Sequence, residues 1–176
     1  MHTQTHIMAG WCAASLFQLS ARERLFCMLA ATLPDLDGLS SLFGQEAYWY
    51  YHHRLGHNFV FALLLAGALA CFSPHRIKSA LLYLAIFHLH LYMDYLGSGI
   101  GWKIHYLWPF SAWGLKNSSA WDFYSWQNIA AAMGLFLWVI LIAFYHRRTP
   151  LEAIMPSLDR QLVNSLRRRA AKPIHR

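Results

Sequence analysis

The chain has 176 residues, of which 57% are hydrophobic, 16% aromatic and only 13% charged. Soluble globular domains carry charges on about a quarter of their residues, so this composition excludes an ordinary soluble domain and is typical of a membrane protein. The length predicts one domain. The net charge of +7 would suit an anionic partner, but eight of the fifteen basic residues follow Tyr145, so the charge is concentrated in a C-terminal tail.

Five apolar segments are predicted to be helical. They cover residues 7–19, 25–33, 59–72, 79–96 and 129–145. The fourth and fifth approach the roughly 20 residues that a membrane span needs, whereas the first two are short and the third is marginal. We expect the short segments to be half-buried or re-entrant. The predicted fold class is therefore all-α, a polytopic membrane bundle of about five apolar helices followed by an amphipathic helix.

Basic residues cluster after the first, third and fifth segments. These clusters are Arg22 and Arg24, Arg76 and Lys78, and Arg147 and Arg148. If each segment crosses or enters the membrane, all three clusters lie on one side, which the positive-inside rule identifies as the cytoplasm. The same topology places the C-terminus in the cytoplasm and the histidine and aspartate clusters on the opposite side.

The fourth segment contains the most informative pair of residues, His90 and Asp94. Because they are four residues apart, they share one face of a helix and can bind a single metal ion. An imidazole and a carboxylate in so apolar a segment are costly unless they are paired, liganded or hydrated, so they indicate a functional site. A satisfied polar pair in the core is the alternative.

Other histidines and aspartates emerge on the same side of the membrane in this topology and complete a candidate metal site. The candidate ligands are His6, Asp35, Asp37, His53, His57, His90 and Asp94. Imidazole and carboxylate ligands suit zinc first, with manganese or iron as alternatives, and this set is large enough for one or two ions. Asp94 could bridge two ions, as carboxylates do in two-metal hydrolases.

Several candidates have a second interpretation. Asp37 could cap the short helix predicted to follow it, and His6 could be an exposed histidine near the terminus. Of the adjacent histidines 52 and 53, the spacing of four to His57 selects His53 as the one on the same helical face. His52 is then expected at the surface or beside a ligand.

Two aspartates and one arginine are the candidates for catalysis. Asp35 or Asp37 could serve as a general base. Arg54 could orient a phosphate through its fork of donors, or it could contact a lipid headgroup. Residues 97–126, rich in glycine and tryptophan, are expected to form an interfacial lid beside the site, with simple aromatic anchoring as the alternative.

A basic tail follows Arg148. Thr149 and Glu152 have the spacing of a capping box with Pro150 at the first helical position, and leucines then recur at intervals of four beside arginines. This pattern predicts an amphipathic helix on the anionic cytoplasmic leaflet, and so short a tail is not expected to bind nucleic acid. The predicted domains are a membrane-embedded metal-site domain, residues 1–148, and a basic cytoplasmic tail, residues 149–176.

Five short motifs together resemble the YdjM family of membrane-bound, metal-dependent hydrolases. They are His6-x-x-x-Gly10, Pro34-Asp35-Leu36-Asp37, His53-Arg54-x-x-His57, His90-x-x-x-Asp94 and Trp108-Pro109-Phe110. The family usually continues its His-Arg motif as Gly-x-Thr-His-Ser, whereas this chain has Leu55-Gly56-His57-Asn58 and lacks the small hydroxyls. The resemblance implies a bacterial inner-membrane protein, and the orientation given by the basic clusters then puts the site on the periplasmic side. Because some members are described as LexA-binding, it also suggests a LexA-type regulator as a partner.

The same region is distantly similar to bacterial zinc-dependent phospholipase C, which combines separated His and Asp ligands with a helical His-x-x-x-Asp. This similarity implies phosphodiester chemistry. We therefore predict a membrane-bound, metal-dependent hydrolase that uses a metal-activated water on a phosphoester or lipid-linked substrate. The alternatives are a non-catalytic metal-binding scaffold or transporter component, and a DNA-damage-response partner acting through its tail.

Overall fold

The chain is mostly helical in the computed structural model, which describes residues 1–170. The α-helices are α1 (Thr3–Ala14), α2 (Ala21–Ala30), α3 (Gln45–Tyr51), α4 (Phe59–Cys71), α5 (Arg76–Gly97), α6 (Trp126–His146) and α7 (Pro156–Ala170). A 3₁₀ helix, Leu33–Phe43, joins α2 to α3. Two short strands, β1 (Lys103–Ile104) and β2 (Leu115–Lys116), pair antiparallel in the connection between α5 and α6. The prediction of a helical fold is confirmed for the described residues.

Each predicted apolar segment lies in a helix, although several boundaries differ. The first helix ends at Ala14, five residues before the predicted end. The second begins at Ala21 because Ser20 and Glu23 form a capping box, in which the Ser20 N–H donates to Glu23 Oε2 at 2.9 Å and the Glu23 N–H donates to Ser20 Oγ at 3.3 Å. Polar residues that the hydropathy pattern excluded therefore belong to this helix.

The prediction of about five membrane helices is wrong. Among the described residues, only α6 is by itself long and apolar enough to be a clear membrane-span candidate, with a mean hydropathy of 2.1. The pair of α2 and the 3₁₀ helix qualifies only if the 45° bend between them belongs to one broken span. Helices α1, α2 and α4 have 12, 10 and 13 residues, fewer than the roughly 20 that cross a bilayer. Helix α5 is 22 residues long, but His88, His90 and Asp94 lower its hydropathy.

Close packing of small residues brings the first two helices together. A Cβ added to Gly10 would lie 2.7 Å from Ala31 Cβ and 2.8 Å from the Cys27 carbonyl oxygen, so only glycine fits this crossing. The core continues into α4 and α5 through buried residues such as Ala66 and Tyr83. The arrangement fixes the first turns of α1 beside the end of α5, where the candidate ligands lie.

The segment after α6 folds differently from its prediction. Helix α7 begins at Pro156 rather than near Pro150, because residues 150–154 form turns. The Thr149 N–H and hydroxyl both donate to Asp159 Oδ1, at 2.6 and 2.7 Å, which anchors these turns to the helix. Leu158 and Leu162 of the predicted leucine stripe lie about 40% exposed beside the buried Val163, and the contact of this stripe with a leaflet stays a prediction. Residues 171–176 of the predicted tail lie outside the described residues.

Glu152 does not form the predicted capping box. It accepts a hydrogen bond from Arg24 Nη2 at 2.6 Å and another from Trp11 Nε1 at 3.1 Å. Both partners are buried, and they belong to α2 and α1. The beginning of the tail is therefore attached to the end of the bundle opposite the candidate ligands.

Candidate metal centre

Helix α5 places His90 and Asp94 on one buried face, as their spacing predicts. His90 Nε2 lies 3.0 Å from Asp94 Oδ2, and both side chains are at least 99% inaccessible to solvent. His90 Nδ1 donates to the Ala31 carbonyl oxygen at 2.8 Å. This hydrogen bond fixes the ring and leaves Nε2 directed toward the centre, the usual second contact of a metal-binding histidine.

Helix α1 contributes His6, which is fully buried rather than exposed. Its Nε2 lies 3.1 Å from Asp94 Oδ1, and its ring centroid lies 4.1 Å from that of His90. Ser98 Oγ donates to the same Asp94 oxygen at 3.0 Å, and the Met1 amino group also contacts it. Asp94 is thus the point at which the start of α1 and the end of α5 meet.

The 3₁₀ helix contributes Asp35. Its Oδ1 lies 3.7 Å from His90 Nε2 and 4.0 Å from His57 Nε2, and its Oδ2 accepts a hydrogen bond from Thr3 Oγ1 at 2.9 Å. Ligand atoms of His6, Asp35, His90 and Asp94 all lie within 4.8 Å of one another, and we call these residues the first ligand group.

The loop before α4 contributes His53 and His57, although the helical argument for selecting His53 is wrong. Residues 52–58 form turns, and α4 begins only at Phe59. A left-handed backbone conformation at His53, with φ of 61°, places its ring 4.3 Å from that of His57. With Asp94 they form a second ligand group, again within 4.8 Å, in which His57 Nε2 lies 3.2 Å from Asp94 Oδ2.

Asp37 lies outside both ligand groups and does not cap a helix with its side chain. Its carboxylate accepts hydrogen bonds from His57 Nδ1 at 2.8 Å, His52 Nδ1 at 2.7 Å and the Gly56 N–H at 3.0 Å. It therefore orients His57 from behind, and His52 lies beside a ligand as expected. The sequence pattern did not reveal this role because it depends on how the loop folds back.

Gly56 permits this loop to approach the 3₁₀ helix. A Cβ added there would lie 2.0 Å from the Pro34 carbonyl oxygen, a distance that no side chain can occupy. The Pro-Asp-Leu-Asp motif and the His-Arg motif therefore contact each other through a glycine.

Burial lowers the pKa of both loop histidines, but the neighbouring groups shift the two pKa values in opposite directions. Burial lowers the pKa of His57, but Asp37 and Asp94 outweigh it and raise this pKa to about 10. Burial and the neighbouring His57 lower the pKa of His53 well below its usual value. A cation that binds His57 must displace its proton, whereas His53 is already neutral.

The residues fit a divalent cation in number, chemistry and spacing. Two ligands of one zinc ion, each about 2.0–2.2 Å from it, lie at most about 4.4 Å apart, so each group needs only small side-chain movements. The Nε2 atoms of His6, His57 and His90 all face Asp94, at 3.1, 3.2 and 3.0 Å, so imidazole and carboxylate donors converge on one place. Asp94 belongs to both groups.

A cavity of about 250 Å³ opens beside the two groups. Asp35, His53 and Asp94 form part of its wall. The connection between α5 and α6 contributes Trp102, and this ring stacks on Trp49 with centroids 4.5 Å apart. The connection thus covers the centre as predicted for a lid, with its backbone attached by the His105 N–H, which donates to the His53 carbonyl oxygen at 3.1 Å.

Arg54 is not brought to this cavity. Its guanidinium lies 4.2 Å from the centre of the Tyr50 ring, and Nη2 lies 3.3 Å from His105 Nε2. Arg54 and His105 therefore contact each other at one side of the lid, while Asp35 lies at the cavity wall.

Comparison with known proteins identifies the family. The family model described as YdjM inner membrane protein matches residues 1–157, which include both ligand groups, the lid and α6. No curated protein and no solved structure matches the chain. Since the match covers most of its length, the chain belongs to the family of YdjM inner membrane proteins.

Proposed function

We propose that the protein is a metal-dependent hydrolase of the bacterial inner membrane that acts on a phosphoester or lipid-linked substrate. The observation that supports this most directly is the pair of ligand groups that share Asp94 beside a cavity of about 250 Å³. A structural metal site is usually closed, whereas a catalytic site keeps an open position next to space for a substrate.

A divalent cation, zinc first and manganese or iron as alternatives, would supply Lewis acidity and a nucleophilic water near neutral pH. The chain's own residues then hold and position the reacting groups. Asp37 fixes the His57 ring, and the Ala31 carbonyl oxygen fixes His90. Asp35 is favoured over Asp37 as general base because it lines the cavity, whereas Asp37 already accepts three hydrogen bonds.

Metal content and hydrolysis measured on the same purified protein test the proposal. Asp94→Asn keeps the side-chain shape but removes the carboxylate common to both groups, so we expect bound metal and hydrolysis of model phosphomonoesters and phosphodiesters both to be lost. Asp122→Asn, an exposed aspartate outside both groups, is the matched control and should retain both. Wild-type protein that binds no metal after mild extraction would contradict the proposal.

A non-catalytic metal-binding scaffold or transporter component is the second candidate. The observation that favours it is that the site residues already contact one another. The single carboxylate of Asp94 contacts His6, His57 and His90. Such a network can fix helix packing without chemistry. Protein that binds metal stoichiometrically through Asp94 but leaves every phosphoester and lipid tested intact would favour this candidate.

We also propose that α7 lies on the anionic cytoplasmic leaflet. Its basic side chains Arg160, Arg167 and Arg168 are solvent-exposed, while Val163 is buried against the bundle. Binding of the protein to vesicles should then rise with the fraction of anionic lipid and fall with salt.

A further inference from the structure

A second cavity, of about 510 Å³, lies between α1, α5 and α6 and is lined by apolar side chains. Its walls include Ala13 of α1, Met93 and Leu96 of α5, and Ala131 and Leu135 of α6. None of the side chains that line it is ionisable apart from that of a buried cysteine. The volume falls within the range of about 300–1,000 Å³ that is usual for ligand cavities. Such a space takes a hydrocarbon rather than a polar ligand.

This cavity adjoins the candidate metal centre. Met93 and Leu96 flank Asp94 in sequence and lie on a neighbouring face of α5, and Ala9 and Ala13 follow His6 in α1 by about one and two turns. Met1 lines both this cavity and the smaller one beside the ligands. A chain that occupies the apolar cavity therefore has one end close to Asp94.

Helix α6, the clearest candidate to cross the membrane, forms the third wall of the cavity. Outward side chains of α6 are largely exposed, with Met133 at 67% and Leu137 at 58%. In a bilayer this surface faces lipid chains. The cavity thus lies between the hydrocarbon layer and the metal centre, so a chain can enter it from the side without crossing water.

We infer that the cavity between α1, α5 and α6 holds a hydrocarbon chain of a membrane lipid whose phosphate-bearing head lies at the metal centre. This inference rests on the proposed hydrolase function for the fate of the head, and it adds the substrate class. Dispersion contacts with the cavity walls hold the chain there, because the bilayer is as apolar as the cavity and removal from water adds nothing. Hydrolysis would break one P–O ester bond of that head, with water supplying a hydroxyl to the phosphorus and a proton to the leaving oxygen.

Photolabelling tests the inference without depending on activity. The probe is phosphatidic acid with a diazirine midway along one acyl chain, incorporated into phosphatidylcholine nanodiscs that contain the full-length protein. We expect crosslinks at Met93 and Leu96, in the presence of metal and after chelation. The test variant is Ala131→Leu, which fills this cavity, and the matched control is Ala132→Leu, at the next residue, which lines a separate apolar groove.

Ala131→Leu should raise the mole fraction of probe needed for half-maximal labelling about tenfold, the effect of losing roughly ten dispersion contacts between the chain and the cavity wall. Ala132→Leu should leave it unchanged. Gly134→Leu is a second variant, because a Cβ at Gly134 meets nothing within 4 Å; this residue lines both the cavity and the separate groove, so its labelling is compared with that of Ala132→Leu. Equal labelling of Met93 and Leu96 in Ala131→Leu and Ala132→Leu would overturn the inference.

The labelling and the hydrolysis assay can fail independently. Labelling of Met93 and Leu96 that Ala131→Leu weakens, in a protein that hydrolyses nothing, supports the lipid site and counts against the hydrolase. Hydrolysis that depends on Asp94 but is equally fast for short-chain and long-chain phosphoesters in wild type and Ala131→Leu supports the hydrolase and overturns the lipid site. Unlabelled phosphatidic acid and a prenyl phosphate are then compared as competitors of the labelling. Stronger competition by the prenyl phosphate indicates an isoprenoid chain, and stronger competition by phosphatidic acid indicates an acyl chain.

Discussion

At the scale of single residues, the centre depends on positions that bind nothing themselves. Asp37 orients His57, and Gly56 lets the loop that carries His57 reach the 3₁₀ helix. The sequence predicted His90 and Asp94 correctly as a pair because helical spacing fixes their geometry. It could not assign Asp37, whose carboxylate meets His52 and Gly56 through the fold of a loop with no regular period.

Asp37→Asn is predicted to weaken metal binding without abolishing it. The amide cannot replace a carboxylate that accepts from His57, His52 and Gly56, but both ligand groups remain. Loss of such a partner typically costs about 10–100-fold in metal affinity. Competition with a chromophoric chelator measures this loss, and an affinity equal to that of the wild type would show that Asp37 does not orient His57.

Gly56→Ala is predicted to destabilise the protein and to disturb the centre. The new Cβ would overlap the Pro34 carbonyl oxygen, 2.0 Å away, so the loop must move. Overpacking of this kind costs about 1–3 kcal/mol. The control is Gly67→Ala in α4, where a Cβ meets nothing within 4 Å and a helical alanine should stabilise by about 0.5–1 kcal/mol. Thermal unfolding in detergent should shift in opposite directions for the two variants, and a shared direction would contradict this account.

At the scale of secondary structure, the helices follow the apolar pattern while their ends follow capping chemistry. The third segment was predicted within one residue because Asn58 caps α4, accepting from the Phe61 N–H at 2.9 Å. The second was misplaced because hydropathy ignores the charged first turn that Ser20 and Glu23 cap. Helix α3 was not predicted, since its aromatic residues are half exposed and show no helical period.

The capping box of α2 predicts a pH-dependent contribution to stability. Burial raises the pKa of Glu23, but hydrogen bonds from Ser20 and the charges of His75 and Arg22 outweigh it and lower that pKa below 4.5. Because the pKa of Glu23 is lower in the folded state, its carboxylate contributes its full stabilisation above pH 4.5. This contribution is lost as the pH falls through the pKa of the folded state. Glu23→Gln should therefore reduce the free energy of unfolding at pH 7 and have a smaller effect at pH 3.

Unfolding of wild type and Glu23→Gln at the two pH values measures the difference. Glu46→Gln is the control, because Glu46 is exposed in the first turn of α3 and has no such capping bond. A Glu23→Gln effect that is equally large at pH 3 and pH 7 would mean that the carboxylate charge contributes nothing.

At the scale of the whole molecule, two chemically different ends are apparent. The ligand groups and the lid gather near the first turn of α6, where Asn128 Nδ2 donates to the Gly97 carbonyl oxygen at 2.8 Å. Arg24, Glu152 and Trp11 gather near the other end of that helix. The basic clusters had predicted such a separation, but the number of membrane helices was overestimated, because apolar runs that cover one another need not cross a bilayer.

The separation predicts a topology that can be measured. If α6 crosses the inner membrane with its basic end in the cytoplasm, a cysteine in place of the exposed Tyr124 should react with an impermeant maleimide in intact cells with a permeable outer membrane. A cysteine in place of the exposed Arg160 should react only after lysis. The background is Cys71→Ser, since Cys71 is exposed. The reverse pattern would overturn the orientation.

The order in which ligands occur along the chain has a consequence for biogenesis. The two groups draw on residues from His6 to Asp94, so neither is complete until α5 has left the ribosome and docked against α1. Trp102 of the lid, and Asn128, which donates a hydrogen bond to the Gly97 carbonyl oxygen, are synthesised only afterwards. If the two groups bind metal as proposed, loading belongs to a late stage of insertion, and a ribosome-bound chain truncated before Asp94 should acquire no ion at either group.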